Sequence, residues 1–277
     1  MSEVFSGVLR KMRTRADAPV SYALPLNDIE VAINPLIGKT LRLAFSGKIF
    51  CIHCGRATKK SFSQGYCYPC FRKLAECDTC ITRPETCHYH HGTCREPAWG
   101  EAHCFRDHVV YLANASGIKV GITRLTQVPT RWMDQGAVAA MPVYRTRDRL
   151  LSGKVEVILK AHVSDRTNWR TMLKGKPESV DLGQWRNRLL GECRSEIKAL
   201  LEKNGLDAVT EVPDAEPAYF DYPVLRYPEK VTSMNPEKIP LVEADLWGIK
   251  GQYLIFDKGV MNIRNAAGYE ASLTIVE

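Results

Sequence analysis

Nine of the ten cysteines in this 277-residue chain fall between Cys51 and Cys104, and six of them form C-x-x-C pairs: Cys51/Cys54, Cys67/Cys70 and Cys77/Cys80. Thiolates so spaced are zinc ligands, because one backbone bend presents two sulfurs to a single tetrahedral cation. Twelve residues separate Cys54 from Cys67, enough for the chain to return and close a four-sulfur site. Such a site has no open coordination position and cannot activate water; its role is structural. Cys77, Cys80, Cys87, Cys94 and Cys104 form a second group, interleaved with His88, His90, His91, His103 and His108. The expected second set is Cys77, Cys80, Cys87 and Cys94, with Cys104 and His108 as substitutes, since a C-x-x-x-H pair can sit one helical turn apart. The expectation is two structural zinc ions, with ligands enough for a third.

The elements around these residues read as α+β. Residues 1–50 carry short apolar runs, Val20–Leu24 and Leu41–Phe45, broken by Asn34-Pro35, Gly38 and Gly47, and are expected to be β-structure. Residues 51–107, the cysteine-rich segment, hold too few aliphatic side chains to fold by packing, so metal binding must supply much of their folding free energy. Gly55 after the first pair and Gly65 before the second match a zinc ribbon. Residues 108–205 form a third segment. HVVYLANASGIKVGIT reads as two strands with a turn at Asn114–Gly117, PTRWMDQ as a short helix opened by Pro129, and AVAAMPVYRT as a strand. RLLSGKVEVILKAHV repeats Leu151, Val155 and Leu159 at helical spacing, and Gln184–Lys203 does the same through Trp185, Leu189, Cys193 and Ile197. Cys193 on that stripe is expected to be a buried structural thiol. Residues 206–277 are acidic and β-rich, with a hairpin turning at Asp257-Lys258-Gly259. The β-rich termini are expected to join in one sheet or barrel.

Composition narrows the setting. No apolar run is long enough to span a bilayer, and the opening residues lack a secretory signal, so a cytoplasmic protein without membrane contact is expected. In that compartment clustered cysteines are metal ligands rather than disulfides. Hydrophobic residues make up 45% of the chain, sufficient for an ordinary core and about two domains. The net charge of +7 is unevenly spread. Residues 109–205 hold 17 Lys and Arg against 9 Asp and Glu, whereas residues 206–277 hold 6 against 12. A basic middle beside an acidic tail suits a polyanionic partner, DNA or RNA; the plainer alternative is a solvated basic face.

VVYLANASGIKVGIT resembles the opening hairpin of GIY-YIG nucleases, with Val109-Val110-Tyr111 in the first motif and Lys119-Val120-Gly121 in the second. Arg131 on the next helix, Glu156 on the long helix after it and Asn168 twelve residues later follow the family's order over residues 108–173. The resemblance implies phosphodiester hydrolysis with one divalent ion, Mg²⁺, held by Glu156. It also implies deprotonation of water assisted by Tyr111, and neutralisation of phosphate charge by Arg131. Two departures stand out: Lys119 replaces the second motif's tyrosine, and Gln135 stands where many members place Tyr or His. GTCREPAWGEAHC and PTRWMDQGA also resemble a bacterial family of unknown function. Each residue has a plainer role beside the catalytic one: Tyr111 in a core, Arg131 stacked on Trp132, Glu156 paired with Lys160, Asn168 capping a helix. The expected function is a zinc-stabilised, nucleic-acid-binding endonuclease. Its rivals are a non-catalytic binding module on the same fold and a zinc-dependent protein-interaction protein.

Overall fold

The computed structural model describes residues 3–276. Strands β1 (Val4–Val8), β2 (Arg13–Arg15), β3 (Ser21–Leu26), β4 (Ile29–Ala32) and β5 (Thr40–Phe50) fill the N-terminal segment. The two-residue β6 (Ala57–Thr58) pairs with the end of β5. In the cysteine-rich segment, α1 (Tyr68–Lys73) and α2 (Pro97–His103) are linked by four single 3₁₀ turns, as expected where little apolar surface is available to bury. Then follow β7 (His108–Asn114), β8 (Ile118–Arg124), α3 (Thr130–Asp134), β9 (Ala139–Thr146) and α4 (Arg149–Leu159). After these come α5 (Trp169–Met172), α6 (Leu182–Glu192), α7 (Arg194–Asn204), β10 (Val209–Glu211) and β11 (Ala218–Tyr219). β12 (Leu241–Lys250), β13 (Tyr253–Phe256), β14 (Gly259–Asn262) and β15 (Tyr269–Val276) close the chain.

The α+β class holds, and the two termini do share a sheet. Its antiparallel order is β1-β15-β5-β12-β13-β14, with Val4 opposite Thr274 and Leu43 flanked by Val242 and Leu273. β5 shows why: Leu41, Leu43, Phe45 and Ile49 are buried while Arg42, Ser46 and Lys48 face water, the period-two pattern of a strand with one wet face. Arg42 meets Glu243 across the β5/β12 pair at 2.7 Å on that outer face.

β7 is different, being buried along its whole length. It lies inside a second sheet, β10-β9-β7-β8, with β11 also on β9. Tyr111 and Ala113 join the core under the terminal sheet, together with Trp132. Val110 and Leu112 point the other way, onto Val155 and Leu159 of α4 and Leu189 and Ile197 of α6 and α7. The central sheet is thus a wall between two apolar cores.

One expectation needs correction and one is extended. Gln184–Lys203 is not one helix but α6 and α7, broken at Cys193 (φ −100°, ψ 6°). Gly191 weakens the last turn of α6, and both pieces bury their stripes in the same core, so the repeat alone does not distinguish a straight helix from a bent one. Cys193 is fully buried there, as expected. The C-terminal hairpin turning at Asp257-Lys258 is present as β13 and β14, and Gly251 at φ +60° turns β12 into β13 ahead of it, making a three-stranded meander. A methyl group at Gly251 would come within 3.0 Å of the Asp134 carbonyl, so this glycine also lets the meander close on α3.

Candidate functional site

The terminal sheet delivers the first cysteine pair. β5 ends at Phe50, and Cys51 enters a turn fixed by the Gly55 N–H donating to the Cys51 carbonyl at 2.9 Å. The second pair opens α1, with Cys67 as the residue before the helix and Cys70 in its first turn. The sulfurs of Cys51, Cys54, Cys67 and Cys70 all lie within 4.8 Å of one another, and Cys54 and Cys67 Sγ are 3.8 Å apart. A zinc tetrahedron with bonds of about 2.3 Å has edges of about 3.8 Å, so the spacing is that of a zinc site. Burial would push the Cys51 thiol up, but backbone N–H groups of Cys54, Cys67 and His53 bring it down to about 6. Cys54 is also lowered, chiefly by the Arg56 N–H. Cys70 is pushed up by burial and by its three thiol neighbours. Four thiols this close cannot all lose protons unless a cation joins them. These four residues could hold zinc.

The second group divides. Asp78, Cys80 and His88 place ligand atoms within reach of one ion. Cys80, Cys87, Cys94 and Cys104 line a single cavity of about 20 Å³. Cys77 is not brought to that cavity: it is buried, and the charges acting on it are those of Glu76, Arg95, Cys51 and Glu96. His108 is fully buried at the start of β7, with Nδ1 2.6 Å from the Arg106 carbonyl oxygen. Burial lowers its imidazole to about 4, which keeps it neutral.

On the far side of β7 from α6 and α7, the residues of the β7–β8 hairpin gather. Tyr111 Oη and Lys119 Nζ both donate to Gln135 Oε1, at 2.8 and 2.7 Å. The Arg131 guanidinium lies beside the Tyr111 hydroxyl, and the Glu156 carboxylate is close enough to act by charge on both Tyr111 and Lys119. Burial, and Arg131 second, lowers Lys119 to about 8. Burial raises Tyr111 to about 12 and Glu156 to about 7, the latter helped by Asp165. A neutralisable lysine beside a reluctant carboxylate is a pairing found at sites that move protons or bind cations.

The plainer roles fare unevenly. Trp132 packs on Tyr111 and Phe220. Among the described residues no ion pair holds Glu156, and Lys160 reaches it only as a distant charge. Asn168 does cap: its Oδ1 accepts from the Thr171 N–H at 3.1 Å at the start of α5, and among the described residues no hydrogen bond joins it to the other four.

A family model described as "Protein of unknown function (DUF2797)" matches residues 38–271. The chain belongs to that family. No curated protein and no solved structure matches it. The DUF2797 match begins just before β5 and ends inside β15, so it covers both the first cysteine cluster and the Gln135 cluster. Among the described residues no helix is long and apolar enough to cross a membrane.

Three residues of this DUF2797 chain carry more than the sequence indicated. Gln135, a departure from the nuclease pattern, is the acceptor shared by Tyr111 and Lys119. Asp165 reaches Glu156 and Lys119 because the loop after α4 returns along β8, the Val120 N–H donating to the Ser164 carbonyl at 2.8 Å. Arg264, more than a hundred residues away from Arg131 and Asp134 in sequence, comes within charge range of them from the turn between β14 and β15. A contact set by the docking of two distant sheets leaves no local signal.

Proposed function

We propose that this protein binds nucleic acid and hydrolyses phosphodiesters at a GIY-YIG-like site on a zinc-stabilised scaffold. The observation that carries the reading is the convergence of Tyr111, Lys119, Arg131 and Glu156 from β7, β8, α3 and α4. Single polar residues usually have local roles, but here two share the half-buried Gln135 acceptor and two more, from other elements, lie within charge range of them. A divalent ion, Mg²⁺ by the resemblance, would be held by Glu156 and would supply Lewis acidity at a phosphate oxygen. Lys119 takes the water's proton, since its ammonium, lowered to about 8, loses a proton far more readily than the Tyr111 phenol near 12. Tyr111 then acts as a donor that orients the scissile group, and Arg131 faces the negative charge that builds on phosphorus.

A polyanion path also supports the reading. A cavity of about 450 Å³ is lined by Arg10, Lys11, Arg13 and Arg264, and Arg264 lies within charge range of Arg131. The test incubates purified protein with labelled single-stranded, duplex and branched DNA and RNA, with and without Mg²⁺, beside Glu156→Ala. The reading expects Mg²⁺-dependent cleavage by the wild type and none by the variant. The lysine in the tyrosine slot favours one alternative, a binding module without hydrolysis, which would show retention of nucleic acid by both proteins and cleavage by neither. No retention at low salt by either protein would instead favour an interaction partner that is itself a protein.

A further inference from the structure

We infer that Asp78, Cys80 and His88 hold a second zinc ion through three protein ligands, with a water in the fourth tetrahedral position, and that this ion staples a loop packed against α4. One ligand atom from each of the three residues lies within 4.8 Å of the other two. Asp78 Oδ2 and His88 Nε2 are 3.4 Å apart. Zinc bonded to nitrogen and oxygen at about 2.0–2.1 Å sets those two atoms about 3.4 Å apart, so the separation matches one edge of a zinc tetrahedron.

The surrounding hydrogen bonds aim these atoms at one point. Thr93 Oγ1 donates to the His88 carbonyl at 3.2 Å and lies 2.8 Å from His88 Nδ1. With its single proton given to the carbonyl, the hydroxyl accepts from Nδ1–H, which leaves the imidazole lone pair on Nε2, facing the carboxylate. Two acceptors so placed repel each other unless a cation lies between them. Asp78 is buried and fixed at both oxygens: Oδ1 accepts the Thr79 N–H at 2.6 Å, and Oδ2 accepts from Arg95 Nε at 2.8 Å. Each carboxylate oxygen keeps a second lone pair, and hydrogen-bonded partners of this kind orient metal ligands. Asp78 also caps the 3₁₀ turn Thr79–Ile81 that carries Cys80, so one short element sets two of the three ligands.

The remaining thiols do not complete the set. Cys87, Cys94 and Cys104 line the same cavity as Asp78 and Cys80, yet among the described residues none of them joins the three grouped ligand atoms. Three protein ligands and a water make an accessible zinc, unlike the closed site at Cys51. The cavity, about 20 Å³, has room for that water beside Asp78 and Cys80. An ion held at both Asp78 and His88 closes a loop whose middle rests on α4, the helix that carries Glu156. An added methyl at Gly153 would lie 2.6 Å from Glu85 N and Pro84 Cβ, and Arg149 donates to the Ile81 carbonyl. The staple acts on this loop whether or not the Glu156 site is catalytic.

Elemental analysis of the purified full chain tests this. The wild type should carry about two zinc ions per chain. His88→Ala and Asp78→Asn should each lose one, the second while keeping an oxygen for the Thr79 N–H, whereas Cys77→Ser and Cys104→Ser should lose none. An unchanged count in His88→Ala would show that the imidazole and the carboxylate are only an ion pair, and would overturn the site; so would loss of one zinc in Cys104→Ser. Should the variants fail to fold, zinc-edge X-ray absorption of the wild type decides. Averaged over the closed site and the three-ligand site, each zinc should have about 2.5 sulfurs at about 2.3 Å and about 1.5 nitrogen or oxygen atoms at about 2.0 Å. A shell of sulfur alone refutes the assignment.

Discussion

Tyr111 and Lys119 converge on one oxygen of Gln135, and the cost of that arrangement is measurable. Lys119 is 3% exposed, and its ammonium falls to about 8 in the folded protein. Below about pH 8 both folded and unfolded chains carry the proton and folding bears the full cost; as pH rises toward the unfolded lysine's ordinary value near 10.5 the cost disappears. Lys119→Met should therefore be more stable than wild type at pH 7, by up to about 3 kcal/mol, with the difference shrinking above pH 8. Urea unfolding at both pH values checks it, and a less stable variant at pH 7 would contradict it. Glu156 has the opposite sign: raised to about 7 by burial, it costs stability above that pH and nothing below about 4.5. Cleavage requires Glu156 ionised and Lys119 neutral, so its rate should climb between pH 7 and 8.5, and Lys119→Arg should lose the climb. A flat profile would remove lysine from the role of base.

At the scale of elements, close approach by glycine carries the assembly. Gly121 on β8 lies opposite Tyr111, and an added methyl would stand 2.8 Å from the phenol oxygen and 2.9 Å from Cζ. The ring is fully buried and has nowhere to retreat. Gly121→Ala should cost about 1–3 kcal/mol and lower cleavage by displacing Tyr111; unchanged unfolding and activity would show that the ring yields freely. Gly153→Ala should cost a similar amount by lifting the Pro84–Glu85 loop from α4, read as a lower urea midpoint. Both glycines stood inside recognisable strand and helix patterns, but what they approach is set by other segments. The β7–β8 hairpin, α3, β9 and α4 were legible because apolar spacing and the Asn114–Gly117 turn are local signals. The break at Cys193 and the turn at Gly251 were not, since both depend on which core receives the flanking residues.

For the whole molecule, zinc held by Cys51, Cys54, Cys67 and Cys70 would replace the core that residues 51–107 lack. Chelation should unfold this segment first and weaken the β5–β6 edge, lowering the thermal midpoint and protection of the Cys51 turn in hydrogen exchange; an unchanged midpoint after complete zinc removal would contradict that role. The first four-thiolate set was readable from C-x-x-C spacing alone. The second group was not: Cys77 and Cys80 look like a pair, yet the fold sets Cys77 apart and gathers Cys80 with Asp78 and His88. Spacing identifies a knuckle only where both thiols face one ion. Likewise the sequence contained every member of the Gln135 cluster but not the approach of Arg264 from the turn between β14 and β15. The reading of that cluster as a phosphodiesterase is tested most directly by single-turnover cleavage of one duplex or branched substrate in Mg²⁺, comparing wild type with Glu156→Gln at matched zinc content and folded fraction. Cleavage by the wild type and a fall of about 10²-fold or more in the variant are expected; equal rates, or binding with no cleavage by either protein, would contradict a phosphodiesterase site.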